Sequence, residues 1–286
     1  MTSIADFLES ASSYLYQDNH LASRREIVQI ISFVLNKSKE YLYANMEKDL
    51  KETEMDKILK FIQKRKNGFP LQYIVKKQEF WSLDFKISKG VFIPRPESEL
   101  IVEKTIELFG KEEGIIVDVG TGCGNIAISI ARELPKAKII GIDVSLKAIK
   151  FAQINAKLHK VEDRVEFLKG RFLKPLDEKE FLEKIDIIVS NPPYISPEEW
   201  KSLPSEIKKF EPKRTLVSSN NGLSFIKKLI NDSSIYVKKG GYLIFEIGNE
   251  QGEIIKSFLP NQWKLLKIEK DLANFPRVII LKKQIH

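Results

Sequence analysis

Val117-Asp118-Val119-Gly120-Thr121-Gly122-Cys123-Gly124 reads as a strand that runs into a glycine-rich turn. Such a turn lets the backbone bend tightly and approach a ligand with no side chain in the way. The helical pattern Asn125–Leu134 follows at once, which is the context a nucleotide-type loop requires. A second strand, Lys138–Val144, contains Gly141-Ile142-Asp143, with the acidic residue about twenty positions after the turn. A carboxylate there can accept hydrogen bonds from both hydroxyls of a ribose. This unit predicts an α/β fold.

Outward from it, strand and helix patterns alternate. Ile115–Val119, Lys138–Val144, Val165–Leu168, Ile185–Val189 and Tyr242–Ile247 are strand candidates, and Leu146–Leu158 is a second clear helix. The rhythm argues for a parallel sheet with helices on both faces. Trp263–Ile268 and Arg277–Leu281 predict a closing antiparallel pair. Upstream, Ile27, Ile30, Ile31, Val34 and Leu35 fall at helical spacing behind Ser23, a candidate N-cap. Met55, Ile58, Leu59 and Ile62 form another amphipathic run, stopped by Asn67-Gly68-Phe69-Pro70. Residues 78–87 alternate as a hairpin would. The expected division is a small all-α domain over residues 1–70, a hairpin linker over 71–91 and the α/β domain over 92–286.

The apolar run Ile187-Ile188-Val189 stops abruptly at Ser190-Asn191-Pro192-Pro193-Tyr194. Neither proline can donate to a β ladder, so the strand ends in a short, stiff loop. At the carboxyl edge of a parallel sheet, that loop lies where such folds bind ligands. An amide or aryl amine is a poor nucleophile because its nitrogen lone pair is delocalised. The Asn191 side-chain oxygen and the Pro192 carbonyl can accept hydrogen bonds from its N–H groups and favour pyramidal geometry. Tyr194 can pack against a planar substrate group. A cofactor loop followed by Asn-Pro-Pro-Tyr resembles the machinery of amino-group methyltransferases that use S-adenosylmethionine. The loop runs Gly120-x-Gly122-x-Gly124, without the spacing that holds a dinucleotide pyrophosphate. Asp118 is expected to lend negative charge near a sulfonium.

Composition narrows the setting. The chain has 286 residues, 43% hydrophobic and 30% charged, within the range of soluble globular proteins. No run approaches the roughly 20 apolar residues of a membrane span, and Met1-Thr2-Ser3-Ile4-Ala5-Asp6 does not begin a signal peptide. The lone cysteine, Cys123, has no internal disulfide partner, which suits a reducing cytoplasm. The net charge of +8 is spread along the chain without a dense basic face. It helps steer the protein toward an acidic or RNA-bound partner, but direct nucleic-acid binding is not expected. No metal site is nominated, and a monomer is expected.

From Gly68 onward the chain resembles a specific family, the release-factor glutamine methyltransferases, also called the HemK or PrmC family. Gly68-Phe69-Pro70-Leu71-Gln72-Tyr73-Ile74 and Glu79-Phe80-Trp81-Ser82-Leu83 are similar to its interdomain signature. Phe92-Ile93-Pro94-Arg95-Pro96-Glu97 is more diagnostic, and Phe210-Glu211-Pro212, Leu216 and Gly222 match a further stretch. The resemblance implies a Rossmann-like, seven-stranded class I methyltransferase domain that uses S-adenosylmethionine. It implies methylation of the glutamine side-chain amide in the Gly-Gly-Gln motif of class I peptide-chain release factors, and the helical domain is expected to dock the factor. By motif position it implies cofactor contacts at Gly120, Thr121, Gly122, Cys123, Gly124, Asp143, Phe172 and Asn191. Asn191, Pro192, Pro193 and Tyr194 hold the glutamine, with Asn191, Pro192 and Tyr194 catalytic, and Phe92 and Arg95 border the substrate or cofactor. Two departures stand out. Arg171 replaces the acidic residue that relatives often place before the aromatic, and Asn274 stands nearest a missing glycine in Asp271–Arg277.

Overall fold

The computed structural model describes residues 2–15, 20–110, 113–176 and 178–285. They form two compact units, residues 1–77 with 205–210, and residues 78–204 with 211–286.

The first unit is helical. β1 (Thr2–Ser3) and β2 (Asp49–Leu50) make a short antiparallel clasp around α1 (Ile4–Leu15), α2 (His20–Leu35) and α3 (Lys39–Tyr43). α4 (Glu52–Lys66) and α5 (Leu71–Val75) complete it. Ile4, Phe7, Leu8, Ala11 and Leu15 recur at three- and four-residue spacing and are buried against Ile27, Ile30, Ile31, Ile58 and Ile62. Ser23 is not an N-cap. α2 begins at His20, so Ser23 lies inside the helix and is buried. Leu59, on the predicted apolar face of α4, is exposed.

In the second unit, β3 (Lys77–Phe80) and β4 (Leu83–Lys86) form the expected hairpin. Its turn residues Trp81 and Ser82 both have positive φ, 52° and 55°, which matches the strand twist in a two-residue loop. Trp81 is tied down by its backbone N–H to Glu99 and its indole N–H to Glu133. A 3-10 turn at Pro96–Ser98 leads into α6 (Glu99–Phe109).

The sheet core then builds as β5 (Gly114–Val119), α7 (Asn125–Glu133), β6 (Ala137–Asp143), α8 (Leu146–Leu158) and β7 (Val165–Lys169). It continues through α9 (Glu178–Phe181), β8 (Ile185–Ser190), α10 (Pro197–Ser202), α11 (Ser205–Phe210) and α12 (Ser224–Tyr236). β9 (Val237–Glu246), α13 (Gln251–Ser257), β10 (Trp263–Lys270) and β11 (Pro276–Lys283) close the chain. Seven strands pair in the order β10-β11-β9-β8-β5-β6-β7. β9, β8, β5, β6 and β7 run parallel, while β11 lies antiparallel between β9 and β10.

The order reverses beside β5, so the crevice at its carboxyl end is the topological switch point where such sheets bind ligands. Both β5 and β8 end there. The sequence expectations for these strands hold to within a residue or two, except that β9 starts five residues earlier. The domain limits differ. Residues 71–77 belong to the helical unit, and so does α11, which the chain contributes from the middle of the α/β part. In that unit Phe210 packs edge-on against Phe69, and Arg65 pairs with both Glu26 and Glu206.

Candidate active site

A cavity of about 710 Å³ opens at the carboxyl ends of β5, β6 and β8, within the second unit. That size suits a small-molecule ligand.

The glycine turn forms its floor. Gly120 and Thr121 donate their N–H groups to the Ile142 carbonyl, and Gly124 donates to Thr121. Gly122 donates to Asp143 Oδ2 at 3.0 Å. With these donors committed inside the protein, the turn gives a ligand room rather than an anion cradle. Gly122 has φ 56°, and a Cβ there would enter open space in the cavity. Gly124 has φ 84° and serves packing instead. A Cβ there would stand 2.9 Å from Ile128 and 3.2 Å from Ala152 and Phe167. Cys123 and Gly124 are buried away from the cavity wall. Burial pushes the Cys123 thiol up to about 12, so it is not a nucleophile.

Asp143 ends β6 at the wall. Its Oδ1 accepts from Ser145 N–H at 2.8 Å and its Oδ2 from Gly122. Each carboxylate oxygen has a second lone-pair direction, which leaves capacity for a diol. Burial raises its pKa, opposed by the backbone donors at Ser145 and Gly122 and by Arg214. Asp118 differs from expectation. It lies off the wall, 1% exposed, with Oδ2 accepting from Thr121 Oγ1 at 2.7 Å. Burial pushes its pKa up to about 7, so near neutral pH it is a poor fixed negative charge.

Phe172 lines the cavity with φ 54°, and its ring lies 4.4 Å from that of Phe225 on α12. Arg171 also lines the cavity, and its guanidinium lies over the Phe172 ring, as does the Lys228 ammonium. Phe92 also lines the wall. Arg95 does not; its guanidinium lies over the Phe92 ring and pairs with buried Glu211.

The loop after β8 supplies the polar edge. Asn191 and Pro193 face the cavity, whereas Pro192 and Tyr194 do not line it. Ser190 Oγ donates to the Val119 carbonyl at 2.7 Å, pinning the loop to the end of β5. Tyr194, expected to meet a planar substrate, turns inward. Its ring packs on the sheet core and its hydroxyl donates to buried Glu246 at 2.9 Å. Burial and Glu246 raise the Tyr194 pKa. Asn191 Nδ2 donates to Ser98 Oγ at 2.7 Å, and among the described residues Oδ1 accepts no hydrogen bond. Gly222 abuts the Tyr194 carbonyl so closely that a Cβ would collide with it, and Gln251 Nε2 donates to the same carbonyl.

The comparisons with known proteins agree with this geometry. Residues 111–280 match a methyltransferase domain, and residues 6–75 match the PrmC N-terminal domain. A release factor glutamine methyltransferase of Fusobacterium nucleatum is 40% identical over 98% of this chain and 79% of its own length. The chain belongs to the release factor glutamine methyltransferase family. A family member from Clostridium acetobutylicum is 34% identical over 97% of both chains. One from Bacillus subtilis is 33% identical over 98% of this chain and 97% of its own. Among solved structures, the hMettl16 catalytic domain in complex with the MAT2A 3'UTR hairpin 6 superposes with TM-score 0.55. It is 16% identical and covers 82% of this chain and 83% of its own, a likeness of fold.

In this methyltransferase family member the structure brings Gly120, Thr121, Gly122, Asp143, Phe172, Asn191, Pro193 and Phe92 to one cavity. It adds residues that the sequence reading passed over. Arg214, Phe225 and Lys228 line the wall, and Ser98 and Glu246 stand behind Asn191. Phe225 and Lys228 sit in an ordinary helical pattern and give no signal. Glu246 does give one, as a lone charge in the apolar run Tyr242–Ile247.

Proposed function

We propose that this enzyme methylates the side-chain amide nitrogen of the glutamine in the Gly-Gly-Gln motif of class I peptide-chain release factors, with S-adenosylmethionine as methyl donor. The observation that carries the proposal is Asn191 Oδ1, an uncommitted acceptor on a stiff loop beside the Gly122–Asp143 floor. Family membership supports the substrate.

The cavity fits the donor on its own chemistry. Asp143 keeps acceptor capacity for ribose hydroxyls, Gly122 leaves space that any side chain would fill, and Phe172 with Phe225 forms an aromatic wall for a purine. The glycine turn, with its Gly120, Thr121, Gly122 and Gly124 N–H groups already used, does not suit a pyrophosphate. When bound, S-adenosylmethionine supplies an electrophilic methyl carried on sulfonium.

The chain's own residues then have simple tasks. Asn191 Oδ1 accepts from the glutamine NH₂, orients its nitrogen and reduces amide resonance, while Pro192, off the cavity wall, stiffens the loop. Tyr194 fastens the loop through Glu246. Phe92 borders the substrate, and Arg95 holds Phe92 through its contact with the ring. No strong base is required before transfer, because the methylated nitrogen is acidic and sheds its proton afterwards. Positioning is the main catalytic term, and in favourable systems orientation supplies ~7–11 kcal/mol. The helical unit docks the factor. The enzyme works as a cytoplasmic monomer, and no helix is long and apolar enough to cross a membrane among the described residues.

The test is transfer of labelled methyl from S-adenosylmethionine to purified release factor, beside its Gln→Ala variant and adenine-containing DNA and RNA. Label on the wild-type factor alone is expected. Label on nucleic acid instead would assign base methylation.

A further inference from the structure

Behind the cavity, Asn191, Ser98, Glu246 and Tyr194 form one hydrogen-bonded chain. Asn191 Nδ2 donates to Ser98 Oγ at 2.7 Å, Ser98 Oγ donates to Glu246 Oε2 at 2.5 Å, and Tyr194 Oη donates to Glu246 Oε1 at 2.9 Å. Ser98 and Glu246 are 1% and 2% exposed, so solvent does not replace either partner. The arrangement has a direction. A serine hydroxyl holds one proton, and here the carboxylate takes it. Ser98 Oγ is then left only to accept, and the amide group facing it must be the NH₂. The Asn191 carbonyl oxygen therefore turns to the cavity.

We propose that Ser98 and Glu246 are positioning residues for methyl transfer: the buried carboxylate orients the Ser98 hydroxyl, and that hydroxyl holds the Asn191 amide in the flip that offers Oδ1 to a substrate N–H. The inference rests on the function proposed above, since a substrate bearing N–H donors is what needs the acceptor. With the opposite flip, the Asn191 NH₂ would face the glutamine NH₂, donor against donor.

Burial at the end of β9 is costly and raises the Glu246 pKa, and Glu97 adds to the rise, while the Ser98 and Tyr194 hydroxyls and Arg277 on β11 oppose it. Such an expense beside a reactive site fits a group retained for function. Ser98 arrives from the 3-10 turn after Pro94-Arg95-Pro96, and Glu246 comes from the strand next to β8. Two segments far apart in sequence thus fix one amide rotamer.

The experiment uses the full chain with Ser98→Ala, Ser98→Thr and Glu246→Gln, and two readouts. One is kcat and KM on release factor. The other is the side-chain amide NMR signal of Asn191, assigned by its loss in Asn191→Ala. Ser98→Ala is expected to lower kcat by about tenfold or more. It should leave KM and the cofactor Kd within severalfold, and shift the Asn191 amide signal with faster solvent exchange. Ser98→Thr, which keeps the hydroxyl, should restore both readouts.

Wild-type kcat in Ser98→Ala, or an unmoved amide signal, would overturn the proposal. So would a loss of kcat that merely parallels loss of thermal stability and cofactor binding. If Ser98→Ala fails to fold, Glu246→Gln carries the same readouts. A wild-type enzyme that labels no release factor would overturn the proposed substrate instead, and the amide signal would still decide the role of Ser98.

Discussion

In the proposed reaction one amide, that of Asn191, carries the chemistry, and its two ends have different partners. Asn191 lines the cavity; its Nδ2 donates to Ser98, and its Oδ1 is the acceptor that the proposed function uses. Asn191→Ala removes both ends without touching the Gly122–Asp143 floor. It is expected to abolish methyl transfer while leaving cofactor affinity within severalfold; near-normal turnover would refute the role. Asp143→Ala should behave oppositely. Loss of a charged hydrogen bond of ~1.5–3 kcal/mol should raise the cofactor Kd by roughly tenfold or more, as isothermal titration would show. Asp118 makes a prediction about pH. Its folded pKa of about 7 lies above the 3.8 of an ordinary aspartate because burial disfavours the charge. Between those values the native state binds more protons than the unfolded chain, so stability falls as pH rises through the window. Asp118→Asn, neutral throughout, removes this term. The stability of the variant relative to wild type should rise by up to about 4 kcal/mol between pH 4 and 7, measured by denaturant unfolding. A difference that stays flat across that range would show that Asp118 does not titrate there.

At the scale of elements, the turn from β5 to α7 divides its labour between two glycines of similar φ. Both alanines share the strain of a positive φ, but Gly122→Ala puts its methyl in open space beside the cavity and should cost cofactor affinity without added crowding in the protein. Gly124→Ala drives a methyl into Ile128, Ala152 and Phe167, and should lower stability by ~1–3 kcal/mol from crowding alone. Thermal melts with and without cofactor separate the two cases, and equal loss of both properties in both variants would dissolve the distinction. This turn and the strand ends were legible because apolar periodicity, glycine and proline are local signals. The Ser23 cap was misread because nothing local shows that α2 starts upstream at His20. The inward turn of Tyr194 was hidden for a different reason. It depends on Glu246, 52 residues later, and hydrogen bonds across β8 and β9 leave no mark in the sequence near the loop. Arg214, Phe225 and Lys228 reach the cavity through the placement of α12 and the turn before it, which no periodicity specifies.

On the scale of the whole molecule, the described residues include one hydrophobic cluster drawn from residues 4–75 and another packed on the sheet. α11 complicates that division, since it joins the helical unit although its sequence lies between β8 and α12. The segment that follows the Asn-Pro-Pro-Tyr loop therefore leaves the α/β unit after Pro204 and re-enters at Glu211, where that carboxylate pairs with Arg95. Removal of residues 1–70 takes away Arg65 and Phe69, the partners of Glu206 and Phe210. The remaining chain still holds the complete cavity and the sheet core. It should bind cofactor within severalfold of the full chain. If the helical unit docks the release factor, the truncated chain should lose turnover on the intact factor by a hundredfold or more, about 2.7 kcal/mol of transition-state binding. Its turnover on a short Gly-Gly-Gln peptide, which has no surface to dock, should fall far less. The ratio of the two substrates is the measurement, because a general loss from the uncovered Phe210 would lower both together. Undiminished preference for the intact factor would place its recognition on the α/β unit.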